Sequence, residues 1–171
     1  MPTMTRINRP GQWRLLNALE FAEGGESYAA RLLDTQDGSM DDLVSLNHLG
    51  LIHADVAGIA VVLGEHITGS ALIAVNLAIT PDGQRLINHD PRNKVMRVFT
   101  ILTPSRGGIP ARSVQVMANV EQSVIVAMSE DGLIEGVGAN HEPIALKTFR
   151  KLPAMLRLRL TSRGWDYLPR R

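Results

Sequence analysis

Six cations crowd one stretch of this chain. Lys147, Arg150, Lys151, Arg157, Arg159 and Arg163 fall within seventeen positions, with no Asp or Glu among them. Side chains of this type at this density neutralise anionic oxygens, above all a run of phosphates, and the attraction fades as salt rises. An arginine in such a strip is also suited to a minor groove. The second reading is a solvated basic strand whose charge protects an exposed sheet edge from pairing. Leu156, Leu158 and Leu160 alternate with Arg157 and Arg159. That period of two predicts a half-buried strand with both arginines facing solvent or a partner.

Catalytic chemistry finds no comparable cluster. The histidines are His48, His53, His66, His89 and His141. His53 lies near Asp55 and His89 adjoins Asp90, but no HExxH and no short paired metal-ligand spacing occurs. Gly-Val-Gly-Ala-Asn at 136–140 lacks the full dinucleotide fingerprint and a following helix, so it reads as a loop. There is no Walker-type phosphate loop, and no serine stands in a nucleophile elbow. The absence of cysteine excludes disulfides, thiol nucleophiles and cysteine zinc sites. The expectation is a binding protein and not an enzyme, with no cofactor and no metal.

Of the 171 residues, 44% are hydrophobic and 4% aromatic, so the core must be aliphatic. MPTMTRINRPGQW at the N-terminus has no apolar run of signal-peptide length and reads as a flexible tail over 1–11. VAGIAVVLG and ALIAVNLAI are too short to cross a bilayer, and the expected setting is cytoplasmic. The formal charge of +1 hides an asymmetry. Residues 10–90 carry three basic and eleven acidic side chains, a net of −8; residues 91–171 carry thirteen basic and six acidic, a net of +7. Opposed halves point to nucleic-acid contact or to charge-complementary assembly, including a homo-oligomer or a protein partner held by the acidic half.

The halves also repeat. Gly50-Leu51-Ile52 and Gly132-Leu133-Ile134 lie 82 residues apart, Gly83 and Gly164 lie 81 apart, and Gly24-Gly25 and Gly107-Gly108 lie 83 apart. WRLLNAL from Trp13 aligns with MRVFTIL from Met96, and DDLVSLNHLGLI aligns with SVIVAMSEDGLI. Landmarks in one order with so little drift predict a duplicated domain, the first over 12–89 and the second over 92–171. HDPRN at 89–93 is the polar link.

Each copy predicts three helices, a β-ribbon and a short closing helix. In the first, Trp13, Leu15, Leu16 and Leu19 have helical spacing over 13–23, ended by Gly24-Gly25. Ser27 is expected to cap a second helix reaching about Asp34, and Ser39 a third, with Met40, Leu43, Leu46 and Leu49 on one face. An extended region starts at Leu51 and includes Ala71–Ile79; Thr80 caps the last helix, with Pro81 at its first position. In the second copy, Val95, Val98, Phe99 and Leu102 mark the first helix. Pro110 to about Asn119 form the second, and 121–131 the third, with Val124, Ile125 and Met128 inward. Ile144–Leu160 supply the ribbon, and Thr161 caps the closing helix.

Three helices ending in Gly-Leu-Ile, a ribbon, and a Thr-x-x-Gly helix start resemble a winged helix-turn-helix domain, once per half. Leu-Thr-x-x-Gly resembles the wing exit of bacterial regulators of the multiple-antibiotic-resistance and PadR-like types. The resemblance implies an α+β, mainly helical fold of two tandem winged-helix domains. It implies either a transcriptional regulator that binds double-stranded DNA, or an interaction scaffold, as in segregation and condensation protein B and the ESCRT-II subunits. In the DNA-binding members the third helix enters the major groove. Here those helices offer Ser39, Asp41, Asp42, Ser45, Asn47 and His48 in one copy and Glu121, Gln122, Ser123, Ala127, Ser129 and Glu130 in the other, without any Lys or Arg. Asn47 and Gln122 are each suited to adenine, or are simply solvated. Arg112 and Gln115 on the second helix of the basic copy are further phosphate candidates, or ordinary helix surface.

Overall fold

The computed structural model describes residues 7–65, 67, 69–102 and 107–170; His66 and residues 1–6 lie outside these. Among the described residues the chain is α+β and mainly helical, with eight α-helices and two four-stranded antiparallel sheets. It divides into two compact units, Met1–Ile87 with Pro169–Arg171, and Asn88–Leu168. The C-terminal residues thus leave the expected second domain. The Gln36 side chain accepts from the Arg170 N–H (2.7 Å) and donates to its carbonyl (3.1 Å), and Arg170 pairs with Asp37 at 3.0 Å.

The first unit runs α1 (Pro10–Phe21), β1 (Glu26–Tyr28), α2 (Ala29–Gln36), α3 (Met40–His48), β2 (Ile52–Val56), β3 (Ile59–Ala60), β4 (Asn76–Ile79) and α4 (Pro81–His89), whose last turn crosses the unit boundary. The second runs α5 (Pro91–Leu102), β5 (Ile109–Pro110), α6 (Ala111–Ala118), α7 (Gln122–Glu130), β6 (Ile134–Val137), β7 (Pro143–Ile144), β8 (Arg157–Leu160) and α8 (Ser162–Trp165). Strand orders correspond, β1-β4-β2-β3 and β5-β8-β6-β7. So do registers: Tyr28 faces Asn76 and Ile52 faces Ile79, while Pro110 faces Arg157 and Ile134 faces Leu160.

The repeated Gly-Leu-Ile and Thr-x-x-Gly phrases meet in space and close each unit. Gly50 and Gly132 both have φ 70°, a left-handed turn that glycine adopts without strain. This turn lets Leu51 N–H reach the Leu46 carbonyl (3.0 Å) and Leu133 N–H reach that of Met128 (2.9 Å), satisfying helix-end acceptors. The Thr80 hydroxyl donates to the Gly50 carbonyl (2.7 Å) and accepts from Gly83 N–H (3.1 Å). Thr161 does the same with Gly132 (2.5 Å) and Gly164 (3.0 Å). One side chain thus ties the end of the third helix to the start of the last. A β-carbon at Gly83 or Gly164 would collide with the carbonyl oxygen of Leu51 or Leu133.

Each unit has its own aliphatic core. Leu15, Leu16, Leu19, Leu43, Leu46 and Leu77 are fully buried in the first. Val95, Phe99, Ile125, Met128, Ile134 and Leu158 occupy the second. Val124, expected inward, is partly buried against that core.

Several expectations need correction. Ser27 does not cap α2: it lies in β1 opposite Leu77, and the helix begins at Ala29, whose N–H bonds the Val75 carbonyl. Pro110 belongs to β5 and precedes α6. Each ribbon is therefore part of a four-stranded sheet. The extended reading of Ala71–Ile79 holds only for Asn76–Ile79, because Gly69–Ala74 is a 3-10 helix packed on α2. Ile144–Leu160 is likewise interrupted by a 3-10 turn at Leu146–Thr148. Helix α1 ends at Phe21, before the glycine pair. Leu49 caps α3 and is exposed rather than inward. The expected tail is structured from Ile7 onward: Ile7 is buried, and Gln12 Oε1 accepts from the N–H groups of Asn8 and Arg9, both at 3.2 Å.

Candidate nucleic-acid interface

The six clustered cations separate into two groups. The three on β8 and α8 are bonded within the chain. Arg157, half-buried, donates to the carbonyls of Gly107 (2.6 Å) and Gly108 (2.7 Å). Arg159 Nε pairs with Glu135 at 2.5 Å, across the β6–β8 ladder. Arg163 donates to the Asp131 carbonyl at 3.1 Å. Arg157 and Arg159 alternate as expected, half-exposed in turn with buried Leu158 and Leu160, and their guanidinium groups are held there by the two glycine carbonyls and by Glu135.

Lys147, Arg150 and Lys151 differ. All three are exposed, and none has a hydrogen bond or ion pair to another described residue. They sit on the β7–β8 connection, which is anchored and not extended. Leu146 is buried in the second core, and Phe149 N–H closes the 3-10 turn onto the Leu146 carbonyl at 3.2 Å. Gln122, the first residue of α7, donates Nε2 to the Phe149 carbonyl (3.0 Å) and accepts from Leu152 N–H (3.1 Å). Both ends of that amide hold the loop on either side of Arg150 and Lys151. Long cationic side chains on a fixed backbone lose less freedom when they meet an anion than the same chains on a loose loop.

Gln122 is thus a support for the basic loop, and its amide is not free to meet a base. Asn47 has the corresponding use in the first unit: Nδ2 donates to the Ile52 carbonyl (3.2 Å) and Oδ1 accepts from Leu63 N–H (3.0 Å). Asp42 does not face outward. It is buried, accepts from Ser39 Oγ (2.9 Å) and pairs with Arg9 at 3.1 Å. Ser45 accepts from Gln12 Nε2 at 2.7 Å. Arg112 is exposed on α6 and Gln115 is half-buried there; neither side chain bonds to the basic loop.

Two other surfaces are open. A groove in the first unit is lined by Glu23, Glu26, Tyr28, Arg31, Asp55 and Asn76, among others, a mixed-charge set. In the second unit Val116, Met117 and Met155 are 71%, 50% and 80% exposed. Among the described residues no group of three or more His, Asp or Glu is placed to hold a metal ion, and no helix is long and apolar enough to cross a membrane. Comparison with family models, with curated proteins and with solved structures gives no match.

Sequence reasoning found the cations but not the division among them. The partners of Arg157, Arg159 and Gln122 lie 24 to 50 residues away along the chain, so no local pattern announces them.

Proposed function

We propose that this chain is a double-stranded-DNA-binding protein of tandem winged-helix architecture, a non-enzymatic regulator that contacts DNA through the basic loop of its second unit. The observation that carries this reading is the triad Lys147, Arg150 and Lys151: three exposed, unpaired cations within five positions, on a connection that Gln122 holds on either side of Arg150 and Lys151. The net positive charge of the second half supports it by drawing a polyanion toward that unit. The element order and the sheet registers support the winged-helix reading, in which the β7–β8 connection is the wing.

The test is fluorescence anisotropy with random-sequence duplex, comparing the wild-type chain with the Lys147→Ala, Arg150→Ala, Lys151→Ala triple variant. Loss of at least about tenfold in affinity at 50 mM salt is expected, together with a flatter salt dependence. Unchanged affinity would remove the loop from the interface.

A second reading, an interaction scaffold, is favoured by the exposure of Val116, Met117 and Met155, apolar side chains that a protein partner would cover. It gains if no duplex binds at low salt.

A further inference from the structure

Resting on the DNA-binding reading, we infer that this chain holds duplex DNA by its phosphates alone and does not discriminate base sequence. Reading a base requires side chains that present matched donors and acceptors from an element lying in a groove; phosphate contacts position a protein but carry no sequence information directly. The third helices α3 and α7 are where base-reading groups are expected, and there they are already engaged.

On α3, both ends of the Asn47 amide are bonded to backbone of the same unit, Asp42 is buried against Ser39 and Arg9, and Ser45 holds Gln12. On α7, both ends of the Gln122 amide hold the basic loop. Freeing either amide for an adenine would leave a backbone N–H and a carbonyl without partners, which offsets what a base contact gains. The exposed residues left on these helices are Asp41 and His48 on one, Ser123 and Glu130 on the other. The carboxylates repel phosphate. His48 and Ser123 lack the coplanar donor–acceptor pair of an amide or guanidinium that distinguishes one base pair from another. Neither helix supplies a Lys or Arg.

Among the described residues, three exposed cations without a bonded partner lie off the third helices, together on the connection over 147–151. Three such contacts give a definite ionic signature. The slope of log affinity against log salt is about −0.9 per phosphate neutralised, so about −2.7 here, or roughly a forty-fold loss between 50 and 200 mM. A sequence-specific protein adds a term that depends on the site, typically a thousandfold or more over random DNA.

The experiment is selection of duplexes from a randomised pool by the full-length chain, followed by anisotropy titration of the best selected duplex and the unselected pool at both salt concentrations. Affinities within about fivefold of each other, each falling by roughly forty-fold over that salt range, are expected. A selected duplex bound more than about fivefold tighter than the pool would overturn the inference while leaving DNA binding intact. No binding to either at 50 mM would remove the DNA-binding reading itself, and the inference with it.

Discussion

On the outward face of the first sheet stand His53, Asn76 and Ala78; at the same register of the second stand Glu135, Arg157 and Arg159. Behind both, the inward positions are apolar: Ile52, Leu77 and Ile79 in one, Ile134, Leu158 and Leu160 in the other. The contrast separates two kinds of constraint. Positions that close the backbone or fill the core keep their chemistry, because a hydroxyl bridge, a left-handed turn or a buried leucine has few substitutes. Positions on the open face change charge freely, because water accepts either residue. The β-connections diverge in the same way. In the first unit the connection is tied to the C-terminal part of α3 through Asn47 and Leu63, and its 3-10 segment packs on α2. In the second it is tied to the first residue of α7 through Gln122, and it presents Lys147, Arg150 and Lys151.

The largest effects should come from what the units share. Gly83→Ala and Gly164→Ala each drive a methyl group into a backbone carbonyl that cannot yield without opening the Thr80 or Thr161 bridge. Each substitution is expected to destabilise its own unit by about 1–3 kcal/mol, the usual range for forced overpacking. Urea unfolding followed by circular dichroism measures this. Similar losses at the two sites would mean that the motif does equal work in both units. A loss at one site alone would mean that the symmetry is geometric only.

This shared frame is also what is legible in the sequence. Gly50, Gly83, Gly132, Gly164, Thr80 and Thr161 are local signals, since a turn glycine and a helix-capping threonine act within a few residues of themselves. They gave the repeat, the closing helices and the ends of the third helices. The short strands β1 and β5 carry no such signal. Three and two residues are too few to show a period, and they are strands only because β4 and β8 lie alongside. The loop was legible as charge and illegible as geometry. Nothing near Arg157 says that two glycine carbonyls fifty and forty-nine residues earlier will hold it.

Intermediate effects should come from the two amides. Gln122→Ala removes both bonds that hold the basic loop and leaves the Phe149 carbonyl and the Leu152 N–H without their partner. About 1–2 kcal/mol of stability is expected to go with it, on the ordinary worth of partly buried hydrogen bonds. On the DNA-binding reading, affinity also falls, by about threefold to tenfold, because three cations must now be ordered on binding. Asn47→Ala is expected to cost similar stability in the first unit, through Ile52 and Leu63, and to leave DNA affinity unchanged. Paired unfolding and anisotropy measurements on the two variants separate the roles. Equal effects on DNA would break the assignment of the interface to the second unit.

The smallest effect is the most discriminating. Arg159 and Arg150 are both arginines of the basic strip, but Arg159 is paired with Glu135 at 2.5 Å while Arg150 stands free. The Arg159–Glu135 pair is about one-third exposed on each side, so solvent screens it, and a double-mutant cycle with Arg159→Ala and Glu135→Ala should return a coupling of about 1 kcal/mol or less. Its charges already cancel locally. Removing both therefore leaves the field at the loop nearly as it was, and duplex affinity should hold within about twofold, whereas losing one phosphate contact lowers the salt slope by about 0.9. Arg150→Ala should show that drop in slope, and the Arg159→Ala, Glu135→Ala double variant should not. If the two variants behave alike, the cations act as a diffuse field over the whole strip, and the division into bonded and free arginines has no bearing on binding.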